Sequence, residues 1–96
     1  MNNNSSPAIY LKLRFQQFLG PRNVTRFSAT DGEIYVHLNS SNIERLCLCF
    51  NLLGQHGAKF GTTDILDASG KVSHVQLHVD LNQSEDLKEW LIEEMQ

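Results

Sequence analysis

Apolar and polar residues follow two different periods along this chain, and the changes of period divide it into seven predicted elements. In three segments the apolar residues recur every three or four positions, which is the spacing of one face of an α-helix. In four short segments β-prone residues dominate, and the last of these alternates strictly between apolar and polar. The predicted strands cover residues 24–28, Glu33–Leu38, Lys59–Leu66 and Val72–Asp80.

The first helix is predicted to begin at Pro7, with Ser6 as its N-cap, and to end before Gly20 and Pro21. Its apolar stripe consists of Ala8, Leu11, Phe15, Phe18 and Leu19. A strand competes with this helix, because apolar and polar residues also alternate from Ile9 to Phe15. The leucine, lysine, arginine and glutamine content of the segment favours the helix.

The second helix is predicted to begin at a capping box formed by Ser41 and Glu44, and to end at a left-handed Gly54. Its apolar stripe consists of Ile43, Leu46, Cys47, Phe50 and Leu53. Asn82 with Glu85 caps the last helix, whose stripe consists of Leu87, Trp90, Leu91 and Met95. Cys47 and Cys49 are predicted to be small buried or half-buried thiols, because no further Cys or His spacing completes a zinc motif.

Turn residues join the four strands into two hairpins. Asp31-Gly32 is a strong two-residue turn signal, and residues 67–70 form the second turn. The chain is therefore predicted to be an α+β protein of order α-β-β-α-β-β-α. Its four-stranded, mostly antiparallel sheet has the helices packed on one face. Residues 1–6 are predicted to be a disordered tail, and residues 7–96 a single domain.

The polar face of this sheet is the main candidate for function. Its residues are Tyr35, His37, His74, Gln76 and His78. We expect this face to be exposed to solvent, covered by the first helix, or covered by another molecule. A tyrosine on a polar sheet is a reasonable interface anchor, so we predict a partner-binding surface.

The same histidines suggest a second hypothesis. If their strands are neighbours, His37, His74 and His78 can converge on a zinc or iron ion. An exposed strand face also carries histidines without any metal, and this interpretation is preferred. We therefore predict no metal site and no cofactor. No Ser–His–Asp or Cys–His constellation is visible, so no catalytic residue is predicted.

Charge is unevenly distributed along the chain. The net charge of −3 argues against nucleic acid as the main partner. Residues 1–26 carry basic side chains and no acids, whereas the last helix is acidic. Its Glu89, Glu93 and Glu94 are a second predicted partner-binding surface, the alternative being two solvated helix faces that lie near each other. The chain has no apolar run long enough for a membrane span and no basic-then-apolar N-terminus, so a cytoplasmic location without membrane contact is expected.

Part of the chain resembles a known regulatory domain. The passage IYVHLNSSNIERLCLCFNLLGQHGAKF is similar to the first half of an ACT-type domain. This resemblance implies a ferredoxin-like fold and amino-acid binding near residues 39–42 at a dimer interface. The chain has Asn42-Ile43 where that family has Gly-Leu, and no final strand follows Met95. Separately, VSHVQLHVDL is similar to the opening strand of glyoxalase-like metal enzymes, although it lies close to the C-terminus.

These patterns predict a small non-enzymatic interaction module of adaptor, chaperone or inhibitor type. Its expected partners are another protein, a second copy of itself, or both, and a homodimer is expected because a chain of 96 residues has a small core. The alternatives are an ACT-like regulatory domain that binds a small ligand and a histidine-based metal-binding protein.

Overall fold

Each predicted helix and strand is present in the structure. The structure is a computed structural model, and it describes residues 6–96. The α+β class and the order α-β-β-α-β-β-α are confirmed. Single 3-10 turns, Pro21–Asn23 and Leu81–Gln83, precede β1 and α3. The elements are α1 (Pro7–Leu19), β1 (Val24–Thr30), β2 (Glu33–Leu38), α2 (Ile43–Gln55), β3 (Lys59–Leu66), β4 (Val72–Asp80) and α3 (Glu85–Glu94).

The start of α1 confirms the sequence prediction. Ser6 is the N-cap, and its hydroxyl accepts a hydrogen bond from the Ile9 amide at 3.4 Å. The helix then covers the whole segment for which a strand was the alternative. Except for Ser6, the predicted tail lies outside the described residues.

The four strands form one antiparallel sheet in the order β1-β2-β4-β3. Since β4 pairs with both β2 and β3, those two strands run parallel with β4 between them. The unit β2-α2-β3 is therefore a split β-α-β, as in ferredoxin-like folds. The fourth strand of the sheet within residues 6–96 is β1, which pairs with β2 and precedes it in the chain.

All three helices pack on one face of the sheet, as predicted, because each contributes its apolar stripe to a single core. Phe15 and Leu11 of α1 are almost completely buried there. The sheet supplies the apolar side of each alternating strand. The core residues of the sheet are Val24, Ile34, Val36, Leu38, Val75, Leu77 and Val79.

Three helix ends differ from the prediction. The N-cap of α2 is Asn42 rather than Ser41, because the Asn42 carboxamide oxygen accepts from the amides of both Glu44 and Arg45. This helix continues through Gly54, and Gly57 takes the left-handed conformation with φ +62°.

Asn82 does not cap α3, which instead follows Ser84. The Asp80 carboxylate accepts from the Asn82 amide at 3.0 Å, which holds the segment before α3 in a 3-10 turn. The Asn82 side chain is then free to donate to the Asp31 carbonyl at 2.7 Å. The prediction failed because a third element, the first hairpin turn, competes for this side chain.

Both hairpin turns form as predicted. Asp31 and Gly32 have positive φ angles of 54° and 82°. The Asp67 carboxylate accepts from the amides of Ser69 and Lys71 in the second turn. The β3–β4 pair is longer than the β2–β4 pair, because β4 pairs with β2 only from Val75 onward. The end of the second hairpin therefore projects beyond β2.

Candidate functional site

The sheet face opposite the core, called the outer face below, carries all five residues predicted for partner binding. The antiparallel register places Tyr35 opposite His78 and His37 opposite Gln76, with His74 further along β4. The described helices all lie on the other face, so Tyr35 remains 41% exposed. The sequence left three possibilities for this face: exposure to solvent, coverage by the first helix, or coverage by another molecule. The structure shows that the first helix does not cover it.

Two outer-face side chains form an aromatic pair. The rings of Tyr35 and His78 stack with their centroids 4.5 Å apart and an angle of 21° between their planes. His78 Nε2 also lies 3.1 Å from a carboxylate oxygen of Glu33. The stack and this contact hold both rings in defined positions on the sheet.

A second pair lies at the other end of the face. His37 Nδ1 is 2.8 Å from His74 Nε2, and the Ser73 hydroxyl is 2.7 Å from His74 Nδ1. The pKa of His37 is lowered from 6.5, first by desolvation and then by the charges of His74 and Arg26. A hydrogen bond between two imidazoles needs one ring nitrogen to accept, so this contact requires at least one of the two rings to be neutral.

The register explains why the three histidines of the metal hypothesis do not converge. Their strands are neighbours, which was the required condition. However, Gln76 lies directly opposite His37, and His74 and His78 lie on either side of it along β4. His37 contacts His74, while His78 contacts Tyr35 and Glu33. Within residues 6–96, no three His, Cys, Asp or Glu side chains are arranged to hold a metal ion.

The basic first helix and the acidic last helix lie side by side. Arg14 Nη1 is 3.6 Å from Glu94 Oε1, and the guanidinium also lies 5.3 Å from the Trp90 ring centroid. Glu94 therefore has an intramolecular partner, Arg14. All three glutamates of the predicted acidic surface are exposed, and Glu89 and Glu93 are the two that this contact does not involve.

An apolar groove, which the sequence analysis missed, lies between α2 and the projecting end of the β3–β4 hairpin. Its volume is about 420 Å³, and Leu46, Phe50 and Val75 are among the residues that line it. Ile43 and Val72 line it as well and are 67% and 54% exposed, and Leu66, which pairs with Val72, is 58% exposed.

The sequence did signal this groove weakly. Leu66 and Val72 flank the second turn as apolar residues. Ile43 was wrongly assigned to the buried stripe of α2, because it is the first residue of the helix. Ser40, from the segment predicted to bind an amino acid in the ACT-like alternative, also lines the groove.

The two cysteines have different environments. Cys49 is completely buried, and burial raises the pKa of its thiol to about 12. Cys47 is exposed, which corrects the prediction that both thiols are at least half-buried. The buried stripe of α2 consists of Leu46, Cys49, Leu52 and Leu53, and Cys47 lies off this stripe, on the solvent side of the helix.

The outer face, the apolar groove and the acidic side of α3 are therefore three accessible surfaces within residues 6–96. No helix within residues 6–96 is long and apolar enough to cross a membrane. Searches for related proteins add nothing to this geometry, since no protein-family model, curated protein or solved structure matches the chain.

Proposed function

We propose that this chain is a small, non-enzymatic protein–protein interaction module of adaptor, chaperone or inhibitor type that works as a homodimer. The observation that carries the proposal is the one-sided packing of the sheet. Its outer face displays Tyr35, His37, His74, Gln76 and His78, and no helix of residues 6–96 lies over them.

The chemistry of the outer face suits a protein partner. Tyrosine buries a large ring and keeps a hydroxyl for hydrogen bonding, which makes it an effective anchor at interfaces. Tyr35 is already fixed by its stack with His78, so binding costs little side-chain entropy. Gln76 and the imidazoles add donors and acceptors that fix the orientation of a partner.

A photo-crosslinking residue at position 35 tests this role in the protein's own host. Gln17 is the matched control position, because it is exposed on α1, on the helical side of the molecule. We expect crosslinked partner protein from position 35 and little from position 17. Equal yields from both positions, or none from position 35, would remove the outer face from the proposal.

The acidic helix provides a second contact in this proposal. The double variant Glu89→Lys/Glu93→Lys reverses two of the three exposed charges and leaves the Arg14–Glu94 contact in place. Weaker binding of the crosslinked partner, most visible at low salt, supports a role for α3. Unchanged binding excludes it.

A cytoplasmic location belongs to the same proposal. Cys47 and Cys49 are both free thiols, and an exposed free thiol such as Cys47 is stable in a reducing compartment. Fractionation of the host with a tagged chain tests this location. Recovery from an oxidising compartment would contradict it.

One observation favours the ACT-like alternative, in which the chain binds a small ligand. The apolar groove includes Ser40, from the loop where the resemblance places the ligand. A thermal-shift screen against amino acids tests it, because a ligand that binds only the folded state raises the melting temperature. A rise that Ser40→Ala abolishes would favour this alternative over the interaction module.

A further inference from the structure

The two edges of the sheet differ in how open they are to another strand. On β1 the pairing slips between Thr25 and Ser28, and Arg26 within this bulge has a φ of +51°. On β3 the pairing is regular from Lys59 to Ile65. Bulges protect sheet edges from further pairing, so β3 is the open edge of this sheet.

The direction of the β3 backbone identifies the groups that face this edge. The Lys59 amide donates to the Ser84 hydroxyl, which donates to the Asp80 carbonyl, so Lys59 faces β4. Backbone groups alternate in direction along a strand. The amides and carbonyls of Phe60, Thr62 and Asp64 therefore point away from the sheet.

We propose that a second copy of this chain pairs with β3 antiparallel to it, about a two-fold axis at Thr63, so that two four-stranded sheets become one. This inference rests on the homodimeric part of the proposed function. The two-fold places Thr63 opposite Thr63, Thr62 opposite Asp64, Phe60 opposite Leu66, and Lys59 opposite Asp67. Backbone hydrogen bonds form between Phe60 and Leu66 and between Thr62 and Asp64 of the two copies.

Side-chain complementarity selects this register. It places the charge of Lys59 near the opposite charge of Asp67, and the ring of Phe60 beside the exposed Leu66. The Thr62 hydroxyl comes within reach of the Asp64 carboxylate. Shifting the pairing of the two copies by one residue would set side chains of opposite sheet faces against each other. The nearest alternative register is therefore shifted by two residues, with its two-fold axis at Thr62. That alternative sets Phe60 against Asp64 and Lys59 against Ile65.

The apolar groove adds to this interface. Phe60 already stacks with Phe50 at 6.2 Å between centroids, and Phe50 lines the groove. The incoming Leu66 would extend this cluster and lose solvent contact beside Phe60. The pairing therefore covers apolar surface as well as an open strand edge.

Cysteine crosslinking tests the axis directly. In the Cys47→Ser background, which removes the exposed native thiol, Thr63→Cys places two thiols at a non-hydrogen-bonded pair with Cα atoms roughly 4.5 Å apart. This distance allows a disulfide. Thr62→Cys is the matched control, because its two copies lie on a diagonal at about 7–8 Å. We expect a disulfide-linked dimer from Thr63→Cys and little from Thr62→Cys.

Native mass spectrometry of the unmodified chain separates the two levels of the proposal. A dimer mass without crosslinking of Thr63→Cys overturns pairing through β3 and leaves the homodimer standing. Crosslinking of Thr62→Cys in preference to Thr63→Cys overturns the axis. A monomer at all concentrations overturns both the β3 pairing and the homodimer.

Thr62→Pro provides a second, independent measurement. The Thr62 amide faces the open edge, so proline removes no hydrogen bond to β4 and the isolated chain keeps its fold. We expect its dimer to dissociate at concentrations at least roughly tenfold higher, since both copies lose a bond and gain a clash. Unchanged dimerisation of a folded Thr62→Pro protein would contradict the proposal.

Discussion

His37 Nδ1 lies 2.8 Å from His74 Nε2 on a diagonal of the β2–β4 pair, in an outer face that no described helix covers. Two imidazoles at this distance share one hydrogen bond and cannot both carry a second proton without losing it. The pair therefore makes this end of the face sensitive to pH near neutrality.

This relationship predicts a loss of stability on acidification. The pKa of His37 is lowered from 6.5 in the folded protein, so the unfolded chain takes up a proton first as the pH falls. Stability therefore declines from about pH 6.5 downward until the folded state is also protonated. We expect the melting temperature of the native chain to fall more between about pH 7.5 and 5.5 than that of His37→Asn. Parallel pH profiles for the two proteins would contradict this role of His37.

The first hairpin turn should be far less tolerant of substitution than the second. Gly32 and Gly70 both have positive φ angles, of 82° and 85°. A Cβ at Gly32 would lie 2.6 Å from the Asn82 side chain, whereas a Cβ at Gly70 would meet nothing within 4 Å. Gly70→Ala should cost about 1–2 kcal/mol for backbone strain.

Gly32→Ala should cost roughly 1 kcal/mol more than Gly70→Ala, because it also displaces the hydrogen bond from Asn82 to Asp31. Urea unfolding of the two variants measures this difference. Equal losses would show that the Asn82 side chain adjusts without cost.

Neighbouring positions on α1 should differ sharply in their contribution to stability. Phe15 is 1% exposed within the core, whereas Leu13 is 45% exposed on the same helix. Phe15→Ala leaves a cavity and should cost about 3–5 kcal/mol of unfolding free energy. Leu13→Ala should change it by no more than about 0.5 kcal/mol. Similar losses in chemical denaturation would contradict the packing of α1.

Thiol reactivity should distinguish the two cysteines. Burial raises the pKa of Cys49 to about 12, so its reactive thiolate is scarce and shielded at neutral pH. We expect one prompt equivalent of reaction with a thiol reagent in the folded chain, from Cys47, and two equivalents after unfolding. Cys47→Ser should abolish the prompt reaction. Prompt reaction that persists in this variant would show that α2 opens readily.

Local patterns were sufficient to predict every α-helix and strand of this fold, though not its two 3-10 turns, because helices, strands and tight hairpins depend on residues a few positions apart. The prediction of α1 succeeded since helix propensity decided between two periods that shared Leu11 and Phe15. Helix caps were less predictable. Ser40, Ser41 and Asn42 are all suitable cap residues, and the Asn42 oxygen happens to satisfy two amides at once.

The candidate site was predictable as a set of residues but not as a geometry. Alternation along each strand placed the five residues on one face. Which imidazoles meet depends on strand order and register, which join residues 37 positions apart in the case of His37 and His74. The groove was missed for a similar reason, because a helical stripe does not show that β3 and β4 extend beyond β2.

For the proposed pairing through β3, the bulge at Arg26 on the opposite edge limits how far assembly could proceed. A sheet with two open edges adds copies without limit and grows into a fibre, as heterologous contacts do. Here one edge is closed by its own backbone distortion, so a pair joined through β3 has bulged strands at both outer margins. Under the proposed β3 pairing, self-association therefore stops at two copies, which would give a larger sheet without polymerisation.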